Sequence, residues 1–369
     1  YDVAGFNADP EFYVPLYPNP DSLGEGTDWQ SEIYRMAPMQ NYQLNFSGSN
    51  EKTTYALSAG YYNQKGIIEG SDFKRYSFRL NLDRKVSNKV AVGSNLSYTQ
   101  TIANTVPTDT PGGFFPGVVN TALIFNPALP VFDADGQYTL TDPNADAWLD
   151  NPVAVTNDVD DIYKVNRLLG NSFFEYSILK DLKFRTSLGA DIYHSVQDMY
   201  TPRYVYSGSF NDGQARFAST DFENYIFENT LTYNKTYNKV HKLNALAGFT
   251  YQNNNSRTFI EIATGFPNDI LGYYGIQDAT NFPTIYSSFS ESAVVSYLGR
   301  INYNLNDKYL LTVTGRVDGS SKFGANNRYA AFPSGGFACR ISEEDFLKNN
   351  DRISYLKLRL RYGISGYDR

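Results

Sequence analysis

One hairpin pattern, from Ser292 to Ser320, restricts this chain more than any other feature. Apolar residues or glycine recur at every second position of its first arm, namely Val295, Tyr297, Gly299, Ile301, Tyr303 and Leu305. Asn306 and Asp307 interrupt the alternation, which resumes at Tyr309, Leu311, Val313, Gly315 and Val317. Because successive side chains of a strand point to opposite faces, the pattern predicts a β-hairpin with one apolar and one polar face.

The arms of this hairpin are long, and tyrosines flank its turn. Each arm exceeds the ~5–6 residues of an ordinary globular strand, and Tyr303 and Tyr309 lie close to the turn. Long alternating strands with an apolar outer band and aromatic girdles are typical of a transmembrane β-barrel. The composition agrees, because 16% of the 369 residues are aromatic, including 31 Tyr and 25 Phe. The mean hydropathy of -0.43 is uninformative here, since the two faces cancel in the average.

Charge, cysteine content and apolar runs exclude other classes. A net charge of -7 argues against a nucleic-acid partner, which needs clustered Lys and Arg. The single cysteine, Cys339, excludes an internal disulfide. No run approaches the ~18 apolar residues of a membrane helix, and no signal peptide opens the sequence. We interpret the chain as a piece of a longer protein, with residues 1–39 an irregular lead-in and residues 40–369 a partial barrel.

The alternating pattern predicts about twelve strands joined by connections that are alternately short and long. Short turns are expected near residues 50, 87, 180, 237 and 306, a longer turn near 347, and long loops at 64–72, 102–163, 195–221, 253–291 and 319–329. Outer-membrane barrels have short periplasmic turns and long extracellular loops. The sequence therefore predicts an all-β fold, a section of an antiparallel transmembrane β-barrel with its turns in the periplasm and its loops outside the cell.

Several segments resemble the SusC-like (SusC/RagA) TonB-dependent outer-membrane transporters of Bacteroidetes. In chain order they are Thr27–Trp29, Ala37–Ile68, Arg75–Asp83, Gly299–Gly324, Phe332–Leu347 and Leu356–Gly366. The resemblance implies a 22-stranded type of barrel whose lumen is closed by a plug, with this chain a middle section that lacks the plug and the C-terminal strands. It also implies a SusD-like surface lipoprotein as a lid, energy from the TonB complex through the missing N-terminal region, and oligosaccharides or peptides as substrates.

The sequence contains no recognisable catalytic motif. His194 and His241 have no Cys or His partner at metal-ligand spacing, and G-x-S-x-G, P-loop and H-E-x-x-H motifs are absent. We therefore predict that the chain is not an enzyme and has no cofactor. Calcium near Asp133 and Asp135 is the alternative, because carboxylate-rich loops bind this ion. The same residues, followed by Gly136, also predict an ordinary turn.

Exposed aromatic side chains on the loops are the candidate substrate-binding residues, because an aromatic ring can stack on a sugar face. They are Phe114, Phe115, Trp148, Tyr273 and Tyr274. The alternative is that they pack the loops together or contact a partner. A second group is the arginines of the predicted lumen face: Arg79, Arg300, Arg316, Arg340, Arg359 and Arg361. We interpret these as ion-pair partners of neighbouring strands and of the plug, with an anionic substrate path as the alternative.

The sequence thus predicts part of an active importer in the cell outer membrane, in contact with the lipid bilayer. Two other functions stay open: a passive porin without a plug, and a surface β-rich binding protein such as an adhesin. The identity of the substrate does not follow from the sequence.

Overall fold

Twelve antiparallel strands form one sheet in the computed structural model, which describes residues 24–108, 116–140, 149–347 and 352–366. The strands are β1 Met39–Ser49, β2 Thr53–Lys65, β3 Asp72–Lys85, β4 Val90–Asn104, β5 Asp160–Leu179, β6 Leu182–Thr201, β7 Gln214–Tyr237, β8 His241–Thr264, β9 Asn281–Leu305, β10 Tyr309–Ser320, β11 Tyr329–Arg340 and β12 Lys357–Gly363. Each strand pairs with its neighbours in the sequence, so the order in the sheet is the order in the chain. The predicted all-β antiparallel fold is confirmed.

Short helical segments lie among the connections of the described residues. The α-helices are α1 Trp29–Ile33, α2 Val118–Ile124, α3 Pro152–Asp158 and α4 Tyr206–Ser209, and the 3₁₀ segments are Gly272–Asp278, Ala325–Asn327 and Ile341–Glu343. No helix among them has the length and apolar character needed to cross a membrane.

The tight turns lie where the alternation stops. Asn306 and Asp307 have φ values of 56° and 57°, and Asn238 and Lys239 have 49° and 62°. Positive φ is less costly for Asn and Asp than for most residues. The residues that interrupt the apolar pattern of the central hairpin are therefore the residues that can turn the chain between β9 and β10.

The long connections are shorter than the sequence predicts, because the strands are longer. The loops expected at 102–163, 195–221 and 253–291 are observed at 105–159, 202–213 and 265–280. The strand ends at these loops carry polar and apolar residues on both faces, so the alternation fades before the strand does. The connection between β11 and β12, residues 341–356, is longer than the tight turns, in agreement with the longer turn predicted near 347.

The paired rows of the sheet run obliquely across the strands. Gly48 lies beside the short turn that ends β1, and its paired partners can be followed strand by strand from Tyr55 to Val295 and then Gly319. Gly319 lies at the opposite end of β10, next to the loop that leads to β11. Such a stepwise displacement is the stagger that a closed barrel with tilted strands requires. The sheet therefore has the geometry of a barrel section.

The two faces of the sheet differ in chemistry. One face, called here the apolar face, carries exposed large apolar side chains on most strands, among them Tyr42, Leu44, Phe46, Phe78, Tyr98, Leu188, Phe227, Tyr297, Ile301, Val313, Leu358 and Leu360. The opposite, polar face carries mainly Ser, Thr, Asn and Arg at the intervening positions, such as Asn45, Arg79 and Ser97. A row of exposed apolar side chains over many strands is typical of the lipid-facing surface of a transmembrane β-barrel.

The larger cluster of buried apolar residues lies in the connections, at the loop end of the sheet. Its members are Trp29, Ile33, Ile68, Val106, Val118, Ala122, Phe125, Leu149, Val153, Ala154, Val155 and Val205. We call the loop cap the described parts of residues 24–38, 66–71, 105–159, 202–213 and 265–280. The loop cap thus has a hydrophobic core that is separate from the faces of the sheet.

Candidate functional site at the loop end of the sheet

Helix α1 fixes the segment before β1 to a loop far away in the sequence. Asp28 caps the helix, with its carboxylate accepting the backbone N–H groups of Gln30 and Ser31. The ring of Trp29 meets that of Phe125 edge-on, with 4.7 Å between centroids, and its Nε1 donates to the carbonyl of Asn126. Aromatic pairs of this geometry stabilise a fold beyond the burial of their apolar area. Helix α1 is therefore anchored to Phe125 and Asn126, far away in the sequence.

Arg35 ties the same segment to the β2–β3 loop. Its Nε donates to the carbonyl of Gly66 at 2.9 Å, its Nη2 donates to the carbonyl of Ser71 at 2.8 Å, and its Nη1 pairs with Glu69 at 2.5 Å. In this loop Gly70 has a φ of 77°, and a Cβ there would lie 1.9 Å from the carbonyl oxygen of Thr156 in α3. Only glycine allows so close an approach. Three separate stretches of the loop cap are thereby locked together.

Two neighbouring polar residues join α3 to the rest of the loop cap. Asn151 caps the helix through its Oδ1 and donates its amide to the carbonyls of Val131 and Thr139. Asp150 is buried, and its Oδ1 accepts the backbone N–H of Ser207 at 2.7 Å. Burial raises the pKa of Asp150, and the hydrogen bond from Ser207 opposes that rise. The helix that precedes β5 is thus fixed to α4 through a desolvated carboxyl group.

Asp269 organises a second, smaller cluster at the loop end. Its Oδ1 accepts the hydroxyl of Tyr200 at 2.8 Å and the backbone N–H of Arg203 at 2.9 Å, and its Oδ2 pairs with Nε of Arg203 at 3.0 Å. Burial alone would raise the pKa of Asp269, but these hydrogen bonds and the positive charge of Arg203 lower it. Tyr200 packs edge-on against Phe266 in the same cluster. The ion pair between Arg203 and Asp269 therefore holds the loops 202–213 and 265–280 to each other.

The two tyrosines that the sequence singles out together differ in their exposure to solvent. Tyr273 and Tyr274 lie on the 3₁₀ segment Gly272–Asp278, with ring centroids 4.3 Å apart. Tyr273 packs against the Asp269 cluster, and burial raises its pKa, as does its hydrogen bond with Tyr274. Tyr274 is 72% exposed. Tyr274 is the more exposed of the two, so it is the better placed for contact with a ligand.

The other predicted aromatic residues, Phe114, Phe115 and Trp148, lie outside the described residues. Their role in substrate binding stays a prediction. Among the described residues, no group of three or more His, Cys, Asp or Glu side chains is placed to hold a metal ion. Asp133 accepts the backbone N–H groups of Asp135 and Gln137 at 2.9 Å, in a turn where Gly136 has a φ of 77°. These hydrogen bonds are those of an ordinary turn, which the sequence also predicts here, and calcium binding stays a prediction.

The arginines predicted for the lumen share the polar face of the sheet. The register places Arg79, Arg300, Arg316 and Arg340 there, together with Arg359 and Arg361. Arg316 donates from Nε to Asp318 at 2.6 Å and from Nη2 to Oγ of Ser296 at 3.1 Å. This arginine therefore has partners on its own strand and on β9. The arginines do not gather at a single point.

A row of amides on the polar face escapes the sequence analysis. Asn244 donates to Asn234 at 2.5 Å, Asn302 donates to Asn244 at 3.0 Å, and the hydroxyl of Thr312 donates to Asn302 at 2.8 Å. We call these four residues the amide ladder. They are directly paired across β7, β8, β9 and β10. Each Asn is visible as a polar alternate residue, but only the register shows that they meet.

The two histidines are far apart in the sheet and have different partners. The Nδ1 of His194 lies 2.5 Å from a carboxylate oxygen of Asp221, and both side chains are exposed. The Nδ1 of His241 lies 2.6 Å from the hydroxyl of Tyr303. Neither contact brings a nucleophile, a base and a third orienting group together, which is the arrangement that nucleophilic catalysis needs.

Taken together, the oblique register, the apolar face and the folded loop end define a section of an antiparallel transmembrane β-barrel. The chain is 32% identical over 342 residues to TonB-dependent receptor P3 of Formosa agariphila, an alignment that covers 92% of this chain and 34% of that protein. It is 28% identical over 384 residues to TonB-dependent receptor SusC of Bacteroides thetaiotaomicron, covering 94% of this chain and 36% of that protein. No family model matches the chain.

The resemblance to SusC-like TonB-dependent receptors, predicted from the sequence, is confirmed by these relatives. The chain spans about a third of the length of the curated relatives it matches. A solved structure of the RagAB peptide importer in a closed-closed state superposes with a TM-score of 0.75 at 24% identity, over 92% of this chain and 38% of that chain. That likeness shows the fold.

Proposed function

We propose that this chain is the mid-barrel section of an importer in the outer membrane. The observation that carries the proposal is the division of the sheet into two ends and two faces. One end has tight turns and the other a folded loop cap, while one face is apolar and the other carries amides and arginines. A polypeptide that crosses a bilayer as a barrel needs this division, because lipid and aqueous lumen adjoin opposite faces of each strand.

The proposed cargo is an oligosaccharide or a peptide. The polar face offers the amide ladder, whose Asn side chains both donate and accept hydrogen bonds, as sugar hydroxyls and peptide groups also do. The exposed ring of Tyr274 offers a stacking surface at the loop end. The likeness to the RagAB peptide importer supports a peptide, and the exposed ring of Tyr274 supports an oligosaccharide.

Two partners complete the proposal. A SusD-like surface lipoprotein would cover the loop end, and the TonB complex would supply energy through a part of the protein outside this chain. The folded core of the loop cap supports the first of these, because a lid needs a shaped surface to close on.

Uptake by the whole protein in its own cells tests this function. Fluorescently labelled maltoheptaose and a labelled tryptic digest of casein serve as the two probes, with and without depletion of TonB. We expect one probe to enter only when both the protein and TonB are present. Entry that persists without TonB would make the protein a passive porin, and entry of both probes at wild-type rates after deletion of the gene would refute an import function for these cargoes.

A further inference from the structure

Strand β9 is much longer than the strand that covers one of its edges. β9 has 25 residues and β10 has 12, and their pairing ends at Val294 with Ser320. On its other edge, β9 pairs with β8 up to Asn281. Among the described residues no strand pairs with the remaining edge, which comprises residues 281–292. The loop after β10 reaches β9 only as far as Ala293, so the open edge follows from the shortness of β10.

The direction of the backbone groups along this edge follows from Ala293. Its N–H donates to Oγ of Ser321 at 2.8 Å, and its carbonyl accepts the N–H of Ser321 at 2.9 Å. Both groups of Ala293 therefore point away from β8. Because the direction of backbone groups alternates along a strand, the N–H and C=O groups of Ile285, Ser287, Phe289 and Glu291 point the same way.

Pro283 marks the far end of this row. It lies in the register shift between Thr284 and Asn281, where it has no paired residue on β8, so its missing N–H group removes no hydrogen bond from a paired position of the β8–β9 ladder. Between Pro283 and Ala293, four residues offer a donor and an acceptor each. That is enough to pair with an extended segment of about eight residues, since only alternate residues of a strand face its partner.

The side chains beside the open edge are exposed and have a defined chemistry. Ile285 and Phe289 are 65% and 67% exposed on the apolar-face side. Ile285 pairs with Glu261 and Phe289 with Arg257, while Glu291 is exposed two residues further along β9. Two carboxylates and one guanidinium thus border the edge on this side. The local balance is acidic around two apolar side chains.

We propose that residues 283–291 bind an extended polypeptide segment of a surface partner by strand addition. A row of unpaired N–H and C=O groups is a template for another strand, and strand addition draws its affinity from main-chain hydrogen bonds and its specificity from alternate side chains. The segment that fits has apolar residues at alternate positions, beside Ile285 and Phe289, and a Lys or Arg facing Glu291. A lipid or a sugar lacks the alternating backbone groups that this edge requires. The proposal needs an accessible loop end and does not rest on import.

Fluorescence anisotropy with the full-length protein in detergent tests the proposal. The probe is a labelled eight-residue peptide of alternating valine and threonine with one terminal lysine. We expect saturable binding to the wild type, and at least a ~10-fold weaker affinity for Ser287→Pro, because proline removes one outward N–H and blocks the approach of the strand. Ser287→Ala keeps the N–H and should bind as the wild type does.

A second arm leaves the protein unchanged. The same peptide with N-methyl groups at alternate residues keeps its side chains but loses the N–H groups on one edge. We expect the peptide methylated on the edge that faces β9 to lose binding to the wild type, and the peptide methylated on the opposite edge to keep it. Equal binding of the two methylated peptides, equal binding to Ser287→Pro and wild type, or no saturable binding to the wild type would each overturn the proposal.

Discussion

The sheet and the loop cap treat their apolar side chains in opposite ways. Leu44, on the apolar face of β1, is 72% exposed, whereas Trp29, ten residues before β1, is 3% exposed. The loop cap meets its hydrophobic requirement internally, as a water-soluble domain does. The sheet instead leaves its apolar side chains exposed, so they have to be covered by something outside this chain. The sheet therefore suits an apolar environment and the loop cap suits water, and the change from one to the other falls near the loop ends of the strands.

The largest effect should come from opening the core of the loop cap. Trp29→Ala removes a buried ring and leaves a cavity against Phe125, at a cost of ~3–5 kcal/mol in the stability of the loop cap. Limited proteolysis of the full-length protein should then cut residues 24–38 or 116–140 faster. Leu44→Ala is the matched control, because it removes an apolar group that packs against no core. Equal cleavage of the two variants would contradict the distinction between the regions.

The next effect tests the medium beside the apolar face. Val313→Arg should cost ~2–4 kcal/mol in folding into lipid bilayers if the residue lies near the midplane. Thr312→Arg, its neighbour on the polar face, should cost about 1 kcal/mol, mainly through the lost hydrogen bond to Asn302. Urea titrations of the full-length protein in lipid vesicles measure both. Equal costs would mean that no lipid adjoins Val313.

A smaller effect is expected within the amide ladder. Asn302→Leu leaves Asn244 and Thr312 without their shared partner, at a cost of ~1–2 kcal/mol. Gln43→Leu places the same side chain on the polar face of β1, where only a long contact of 3.5 Å to Asn45 is lost. The same urea titration should show a smaller loss of stability for Gln43→Leu than for Asn302→Leu. A larger loss for Gln43→Leu would contradict a stabilising role for the amide ladder.

The smallest effect is a pH dependence confined to the loop cap. Because burial raises the folded-state pKa of Asp150 above its unfolded value, the protonated form is favoured by folding. The contribution is therefore fully present at pH values below the ordinary carboxyl pKa and is lost as the pH rises through the folded pKa. Asp150→Asn should remove this slope from the proteolysis rate as the pH rises above the ordinary carboxyl pKa of about 4. An unchanged slope would assign the dependence to another group.

The sequence predicts the sheet well and the loop cap poorly, for a physical reason. Alternation is a local signal that survives wherever one face meets lipid and the other water, as in Tyr309 to Val317. It fades at the loop ends, where Gln100, Asn166 and His194 are polar members of the same paired row as Tyr42 and Tyr76. That is why β5 begins at Asp160 rather than near Phe174, where the alternation first becomes clear.

The candidate site depends on contacts that no local pattern encodes. The pairing of Trp29 with Phe125, and that of Arg203 with Asp269, join residues 96 and 66 positions apart. Tyr274 lies in a loop, as the sequence predicts. Its exposure relative to Tyr273 depends on the packing around Asp269, and its contact with a substrate stays a prediction. The amide ladder and the open edge of β9 likewise require the register, which the sequence alone does not supply.

The strictly sequential order of the strands has a kinetic consequence. Each pairing from β1 to β12 joins neighbours in the chain, so the sheet can grow by one hairpin at a time with little loop-closure entropy at the tight turns. The contact between Trp29 and Phe125 has no such shortcut, because β1 to β4 lie between these residues. We therefore expect the loop cap to close after the hairpins beneath it exist, so that its apolar core stays open to water while the strands are already ordered.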